Sequence, residues 1–204
     1  MQIPLNKNFD CIIVGAGIIG LSTAYEYLKK FPTHRICVLE KEQKIFCHQS
    51  GRNSGVIHSG IYYKPDSFKA KNCIDGYKYL IKFARDNNIP YEITGKLIVA
   101  TKKNQIEILN KLYHNGILNG LKNIKLLNSE EALKIEPHCK NVIQALHIPS
   151  SGIIDYKLVG LKLLELIKEK GAIIKFKTLV NKIQNHKKEI LVSTNKGIIK
   201  TKKI

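Results

Sequence analysis

With 204 residues, 44% hydrophobic and 25% charged, the chain is long enough to bury a core and has the balance of a soluble globular protein, as one large domain or two small ones. The formal charge of +18 rests on 34 basic residues, of which only Arg35, Arg52 and Arg85 are arginines. The rest are spread along the whole sequence, so no nucleic-acid partner is expected. No apolar run approaches the roughly 18 residues that span a bilayer, which excludes a transmembrane segment, and Asp10 in the apolar N-terminal region argues against a signal peptide.

In chain order, residues 9–14 read as a short buried strand, followed by glycines and a helix over 18–28 that Pro32 stops. Residues 35–40 make the next strand, and strand, helix and strand together read as a parallel βαβ unit. Residues 48–60 hold too much Gly and Ser for a packed helix. Asp66 or Ser67 then caps a helix through Arg85, with Phe68, Cys73, Ile74, Tyr77, Leu80, Ile81 and Ala84 on or near its apolar face. The middle of the chain reads as an α+β insertion, with strands over 91–101, 124–127 and 145–148 and helices over 105–115 and 129–135. The last of these starts at Ser129, with Glu130 and Glu131 in the first turn. A strong amphipathic helix over 156–170, with Leu158, Leu161, Leu164 and Ile167 at helical spacing, delivers a strand over 172–176. Residues 189–194 and 197–202 then form a hairpin.

Five cysteines, Cys11, Cys37, Cys47, Cys73 and Cys139, show no paired spacing, which speaks against both a zinc site and a disulfide framework. No histidines stand at metal-ligand spacing, and no metal is expected. Cys11 and Cys37 fall in apolar strand-like runs. The expected compartment is therefore the reducing cytoplasm, a peripheral place at the inner membrane included.

The chemistry begins at Gly15-Ala16-Gly17-Ile18-Ile19-Gly20, between the first strand and the first helix, with Glu40 closing the second strand twenty positions after Gly20. Gly15 permits the tight turn, Gly17 lets the backbone approach a pyrophosphate, and Gly20 lets helix and strand pack closely. The helix N-terminus offers free N–H groups and a positive dipole end to the phosphates, while Glu40 suits ribose hydroxyls. A bare glycine pattern is also met in plain strand-to-helix turns. Here strand, helix and acid stand in register, which points to a dinucleotide, and an acid at position 40 favours a free ribose over a 2′-phosphate.

Two further stretches, His48-Gln49-Ser50-Gly51-Arg52-Asn53-Ser54-Gly55-Val56-Ile57-His58-Ser59-Gly60-Ile61-Tyr62-Tyr63 and Pro149-Ser150-Ser151-Gly152-Ile153-Ile154-Asp155-Tyr156, resemble the corresponding motifs of L-2-hydroxyglutarate oxidases. With the fingerprint, the similarity runs from about Phe9 to the end of the chain. The resemblance implies an α/β fold. Its core would be an FAD-binding, Rossmann-like domain of the glutathione-reductase and D-amino-acid-oxidase type, carrying an inserted α+β portion of a substrate domain. Residues 1–64 and 151–204 would be the first and second parts of the FAD domain, and 65–150 the insertion. Glu40 and Lys41 would lie near the adenosine half of FAD, and Gln49, Ser50, Gly51, Asn53 and Ser54 near the pyrophosphate and ribityl chain. Val180 would touch adenine through its backbone.

Oxidation of a 2-hydroxy dicarboxylate needs a hydride acceptor, a base for the hydroxyl proton and cations for two carboxylates. FAD would be the acceptor, His58 the base, and Arg52, Tyr62 and Tyr63 would orient the substrate. The bland alternatives are that His58 and Asn53 merely satisfy loop backbone and that Lys64 is a solvated charge. Family members continue further, with another flavin-domain strand, a glycine motif near the isoalloxazine, more of the substrate sheet and a C-terminal flavin segment. The expectation is thus a chain truncated at its C-terminus, working with a complementing C-terminal chain if it works at all. The competing readings are an enzyme of the same fold resembling glycerol-3-phosphate dehydrogenases or amino-acid oxidases, a non-catalytic flavin-binding remnant, or an interaction module with a basic surface.

Overall fold

The computed structural model describes residues 9–186 and 189–204; the first eight positions of the span 1–64 and two of the span 151–204 lie outside the described residues. Strand β1 (Cys11–Val14) leads through the glycines into helix α1 (Ile18–Lys30) and returns as β2 (Ile36–Leu39), parallel to β1 with Cys11 opposite Ile36. Every residue of β2 is buried, as a strand covered on both faces must be.

The chain forms two compact units, one of Met1–Ser54 with Tyr156–Ile204 and one of Gly55–Asp155. In the first, helix α5 (Tyr156–Glu169) leads to β9 (Ile173–Lys175), which adds to the parallel sheet beside β2, giving the order β1-β2-β9. An antiparallel meander of β10 (Val180–His186), β11 (Glu189–Thr194) and β12 (Gly197–Thr201) belongs to the same unit. Val192 and Ile199 of the meander share a core with Phe9, Ile12, Cys37 and Leu39. Each fully buried Ile or Leu there stabilises the fold by roughly 1.5–3 kcal/mol. The helices also hold the unit together, since α1 buries Leu21, Ala24 and Leu28, and α5 buries Val159, Gly160, Leu163 and Ile167. This corrects the expected face of α5: Ile167 is buried as expected, but Leu158 and Leu161 are exposed and the stripe runs through Val159, Gly160 and Leu163 instead.

The second unit holds two antiparallel sheets. One has the order β3-β8-β4, from β3 (Val56–Ile57), β8 (Gly152–Ile154) and β4 (Tyr91–Glu92); the other has the order β5-β7-β6, from β5 (Lys96–Ala100), β7 (Gln144–Ile148) and β6 (Lys125–Asn128). The single strand expected over 91–101 is therefore two strands in different sheets. Gly95, at φ +76°, breaks it and donates its N–H to Ser151 O at 2.9 Å.

Helices α2 (Phe68–Asp86), α3 (Ile106–Leu118) and α4 (Ser129–Ile135) complete this unit. Ser67 caps α2 by accepting the Ala70 N–H, and Asp66 lies outside the helix at φ +63°. Phe68, expected on the apolar face of α2, is 85% exposed. Helix α4 starts at Ser129, but its cap is Asn128, which exchanges hydrogen bonds with Glu131 in a capping box.

Candidate functional site

Gly15 sits at φ +100°, a conformation that glycine alone adopts without strain, and its N–H is anchored on Leu39 O at 2.8 Å. Gly17 is the N-cap of α1 in an extended conformation (φ −77°, ψ 179°), so backbone torsion does not demand glycine there. A Cβ on Gly17 would come within 2.9 Å of the Ser50 hydroxyl, which can rotate aside, so what glycine keeps open there is the approach to the helix N–H groups. A Cβ on Gly20 would overlap the carbonyl oxygen of Gly15. The three glycines thus answer three separate constraints: torsion, access and helix-to-strand packing. Beyond them lies a concavity of about 430 Å³ lined by Val14, Gly15, Gly17, Ile19, Thr23 and Ser50 among others.

Glu40 is buried and its carboxylate braces this loop, Oε2 accepting the Ala16 N–H at 2.7 Å and Oε1 the Glu42 N–H at 3.0 Å. Each oxygen keeps a second lone pair in a fixed position, which suits a pair of sugar hydroxyls. Lys41 is exposed, with Nζ 3.8 Å from Glu42 Oε1. Residues Gln49–Gly51 form a short 3-10 turn. From it Ser50 Oγ accepts the first N–H of α1, that of Ile18, at 3.0 Å, so the hydroxyl proton is left to donate. Asn53 Nδ2 donates to Ser50 O at 2.8 Å and holds the turn. Gly51 is fixed by packing, because a Cβ there would overlap Phe46 O, and the Phe46 ring in turn fills the space above Gly160 of α5. Gln49, Arg52, Asn53 and Ser54 are exposed, while Val180 opens β10 and packs against the Phe9 core.

An anion binds well where a helix presents free N–H groups and a glycine removes the steric wall in front of them. Around Gly15 a Cβ would meet nothing within 4 Å, and in front of Gly17 only the rotatable end of Ser50. The first unit therefore fits a dinucleotide pyrophosphate at the start of α1, with Glu40 set for a ribose.

In the second unit, His58 follows β3 and is exposed. Partial desolvation, reinforced by the Lys96 ammonium, holds its imidazole below the ordinary 6.5. Its carbonyl accepts a weak hydrogen bond from Cys73 Sγ at 3.5 Å, and burial raises that thiol. The neighbouring Ser59 is buried and shares a hydrogen bond with Ser151 at 3.3 Å. Asn119 pins the following turn by donating to Gly60 O at 3.2 Å and Tyr63 O at 2.9 Å, while Ile61 sinks into the core. Tyr62 stays 51% exposed, with the Lys96 Nζ 4.4 Å from its ring centroid. Tyr63 is half-buried and Lys64 exposed. A concavity of about 430 Å³ in this unit is lined by Ser59, Tyr77, Lys78, Asn119, Lys122 and Ser150 among others.

The structure brings Gly15, Gly17, Gly20, Glu40 and Ser50 together around one helix end, and His58 and Tyr62 into the field of Lys96. The sequence reading passed over Lys96, Phe46 and Asn119. Gly95 before a strand is the one local sign of Lys96; the Phe46 ring acts on Gly160 and Asn119 on Gly60 and Tyr63, all distant in sequence. Among the described residues no group of carboxylates, histidines and cysteines is gathered for a metal ion, all five cysteines are free, and no helix is long and apolar enough to cross a membrane.

A family described as DAO, FAD dependent oxidoreductase, matches residues 10–204. An L-2-hydroxyglutarate dehydrogenase of Indibacter alkaliphilus is 43% identical over 95% of this chain and 48% of its own length. The mitochondrial L-2-hydroxyglutarate dehydrogenase of Dictyostelium discoideum is 54% identical over 74% of this chain and 34% of its own. Among solved structures, the L-alpha-glycerophosphate oxidase of Mycoplasma pneumoniae with FAD bound superposes with a TM-score of 0.88 and 32% identity, covering 96% of this chain and 53% of that one. The chain thus spans between a third and a half of the curated relatives it matches.

Proposed function

The chain belongs to the family of FAD-dependent oxidoreductases, whose cofactor is FAD, and from that premise we propose that it serves the oxidation of L-2-hydroxyglutarate to 2-oxoglutarate. The observation that carries this reading is the glycine loop at the start of α1, braced by Glu40, in a chain 43% identical to an L-2-hydroxyglutarate dehydrogenase. In this proposal residues 1–64 and 151–204 are the two parts of the FAD-binding domain, the first of which also bears the substrate-facing groups, and 65–150 is the inserted portion of a substrate domain.

Gly15, Gly17, Gly20 and Ser50 hold the pyrophosphate, with Gln49, Gly51, Asn53 and Ser54 along the same loop, and Glu40, Lys41 and the Val180 backbone hold the adenosine. FAD, when bound, supplies the hydride acceptor. His58 takes the hydroxyl proton: with its pKa lowered it is neutral at pH 7 and ready to accept, and protonation at lower pH removes the base. Arg52, Tyr62 and Tyr63 orient the two carboxylates of the substrate. Because the chain covers 48% of the Indibacter relative, the activity is proposed for the chain together with the remainder of the fold, supplied in the same polypeptide or by a complementing one. Free Cys11 and Cys37, both buried, suit a reducing compartment such as the cytoplasm.

The superposition on the glycerophosphate oxidase supports a second substrate reading, a phosphate monoester such as glycerol 3-phosphate. Anaerobic mixing of the FAD-loaded protein with each compound separates them. Bleaching of the flavin by L-2-hydroxyglutarate and not by glycerol 3-phosphate is the expected result. The reverse preference, once the complementing part is present, would sink the hydroxy-diacid reading.

A further inference from the structure

We propose that Lys96 receives a carboxylate of the substrate beside His58 and Tyr62, an assignment that rests on the hydroxy-diacid reading. Lys96 opens β5, where pairing with Ile148 and the Gly95 turn fix its backbone. It is only partly exposed, and its ammonium lies 4.4 Å from the Tyr62 centroid. Among the described residues a minority of lysines stand in ion pairs, such as Lys29 with Glu26, Lys82 with Asp86 and Lys162 with Glu165. Lys96 has no carboxylate within ion-pair distance among the described residues. A partly desolvated cation gains most from an anion that comes to it.

The surroundings say which anion. Ser151 joins the segments that carry these groups, its carbonyl accepting the Gly95 N–H at 2.9 Å and its hydroxyl donating to Ser59 Oγ at 3.3 Å, so Lys96, His58 and the Tyr62 ring stand in one neighbourhood within Gly55–Asp155, and the Lys96 charge helps to lower the His58 pKa. Both sides of that neighbourhood are held from behind. Asn119 pins the turn bearing Tyr62, and Ser151 holds Gly95. In this proposal the carboxylate on Lys96 is the one next to the hydroxyl-bearing carbon, so that His58 meets the hydroxyl proton. Lys96 therefore acts at the substrate end of the site and adds a cation beside Tyr62.

The test follows the imidazole signals of the FAD-loaded 204-residue protein, with the remainder of the fold present, by NMR, His58 being assigned through His58→Gln. Glutarate and 2-oxoglutarate, which are not oxidised, are the probes, with glycerol 3-phosphate as the competitor. In the wild type, diacid should shift the His58 signal and raise its pKa, because the carboxylate offsets the Lys96 charge. In Lys96→Met the ligand-free pKa of His58 should already be raised and diacid affinity should fall about tenfold or more, as expected for loss of a charged hydrogen bond. Lys96→Gln should do the same, Lys96→Arg should retain part of the binding, and Lys82→Met should bind as the wild type does. Unchanged diacid affinity in both neutral variants overturns the role of Lys96 and leaves the hydroxy-diacid reading standing. Lys96-dependent binding of glycerol 3-phosphate without diacid binding overturns the substrate and keeps the cation. Binding of neither compound to the wild type overturns both.

Discussion

Alanine placed in turn at Gly17 and Gly20 adds the same methyl group three residues apart, and the structure gives the two changes different outcomes. At Gly17 the backbone is extended, so alanine is not strained, and the only atom in its way is Ser50 Oγ at 2.9 Å. Ser50 can rotate, giving up its hydrogen bond from Ile18 N at about 1 kcal/mol. In a chain of this size that lowers Tm by roughly 2–4 °C. At Gly20 the methyl would overlap the backbone carbonyl of Gly15, which cannot rotate away, so α1 must separate from β1. Overpacking against backbone costs about 3 kcal/mol, a Tm loss of roughly 6–12 °C. FAD affinity orders the variants differently. The Gly17 methyl stands between phosphate and the helix N–H groups, and losing charged hydrogen bonds of about 1.5–3 kcal/mol weakens binding roughly 10- to 150-fold in a protein that is still folded. Circular dichroism melting and a flavin fluorescence titration on both variants measure this. Wild-type FAD affinity in Gly17→Ala would refute the phosphate cradle, and a wild-type melting temperature in Gly20→Ala would refute the packing role.

Three other outcomes follow from single contacts. The hydrogen bond from Lys202 at 2.9 Å, together with the Arg35 N–H, holds the Asp10 carboxyl at about 2 against an ordinary 3.8. Its stabilisation is therefore complete above 3.8 and lost as pH falls through about 2. Asp10→Asn should lower Tm at neutral pH and lower it far less near pH 2, where the carboxyl is about half protonated; a loss of equal size at both ends of the melting series would mean that the charge is irrelevant. Gly160→Ala drives a methyl into the Phe46 ring, and since Phe46 O sits against Gly51, the turn carrying Ser50 should shift. Stability and FAD affinity should then fall together and recover in the Gly160→Ala, Phe46→Ala double variant, whereas a drop in stability alone would disconnect Phe46 from the cofactor loop. Burial pushes the Cys37 thiol up to about 12, so mass spectrometry after maleimide treatment should find Cys47 modified in the native protein and Cys37 modified only after unfolding.

The βαβ start of the chain was legible because its rules are local. A four-residue apolar strand, a helix at period 3.6 and glycines that answer torsion and space all leave marks within thirty positions. Elsewhere the sequence signal failed where tertiary placement decided the matter. Strand β10 carries Val-Asn-Lys-Ile-Gln-Asn-His, mostly exposed, so it lacks the apolar alternation that betrays a strand and forms through its ladder to β11. Strand β8 is three residues long, yet it is the centre of its sheet, where a Cβ on Gly152 would overlap Glu92 O. The face of α5 was misplaced because leucines stand on both sides of the helix, and Gly160 had to lie inward for Phe46 to fit.

The two halves of the candidate site differ in legibility for the same reason. Backbone N–H groups hold a phosphate, so what must be specified is a chain path, and a path needs glycines, which are conspicuous letters at a fixed spacing. A carboxylate is held by a side chain, and Lys96 is one lysine among 34 basic residues, indistinguishable by spacing from its solvated neighbours. What distinguishes it is placement: the ladder to β7 and the turn at Gly95 bring its ammonium to within 4.4 Å of the Tyr62 ring centroid. That is a property of three segments distant in sequence, 58–62, 73 and 95–96, and it exists only once the second unit has folded.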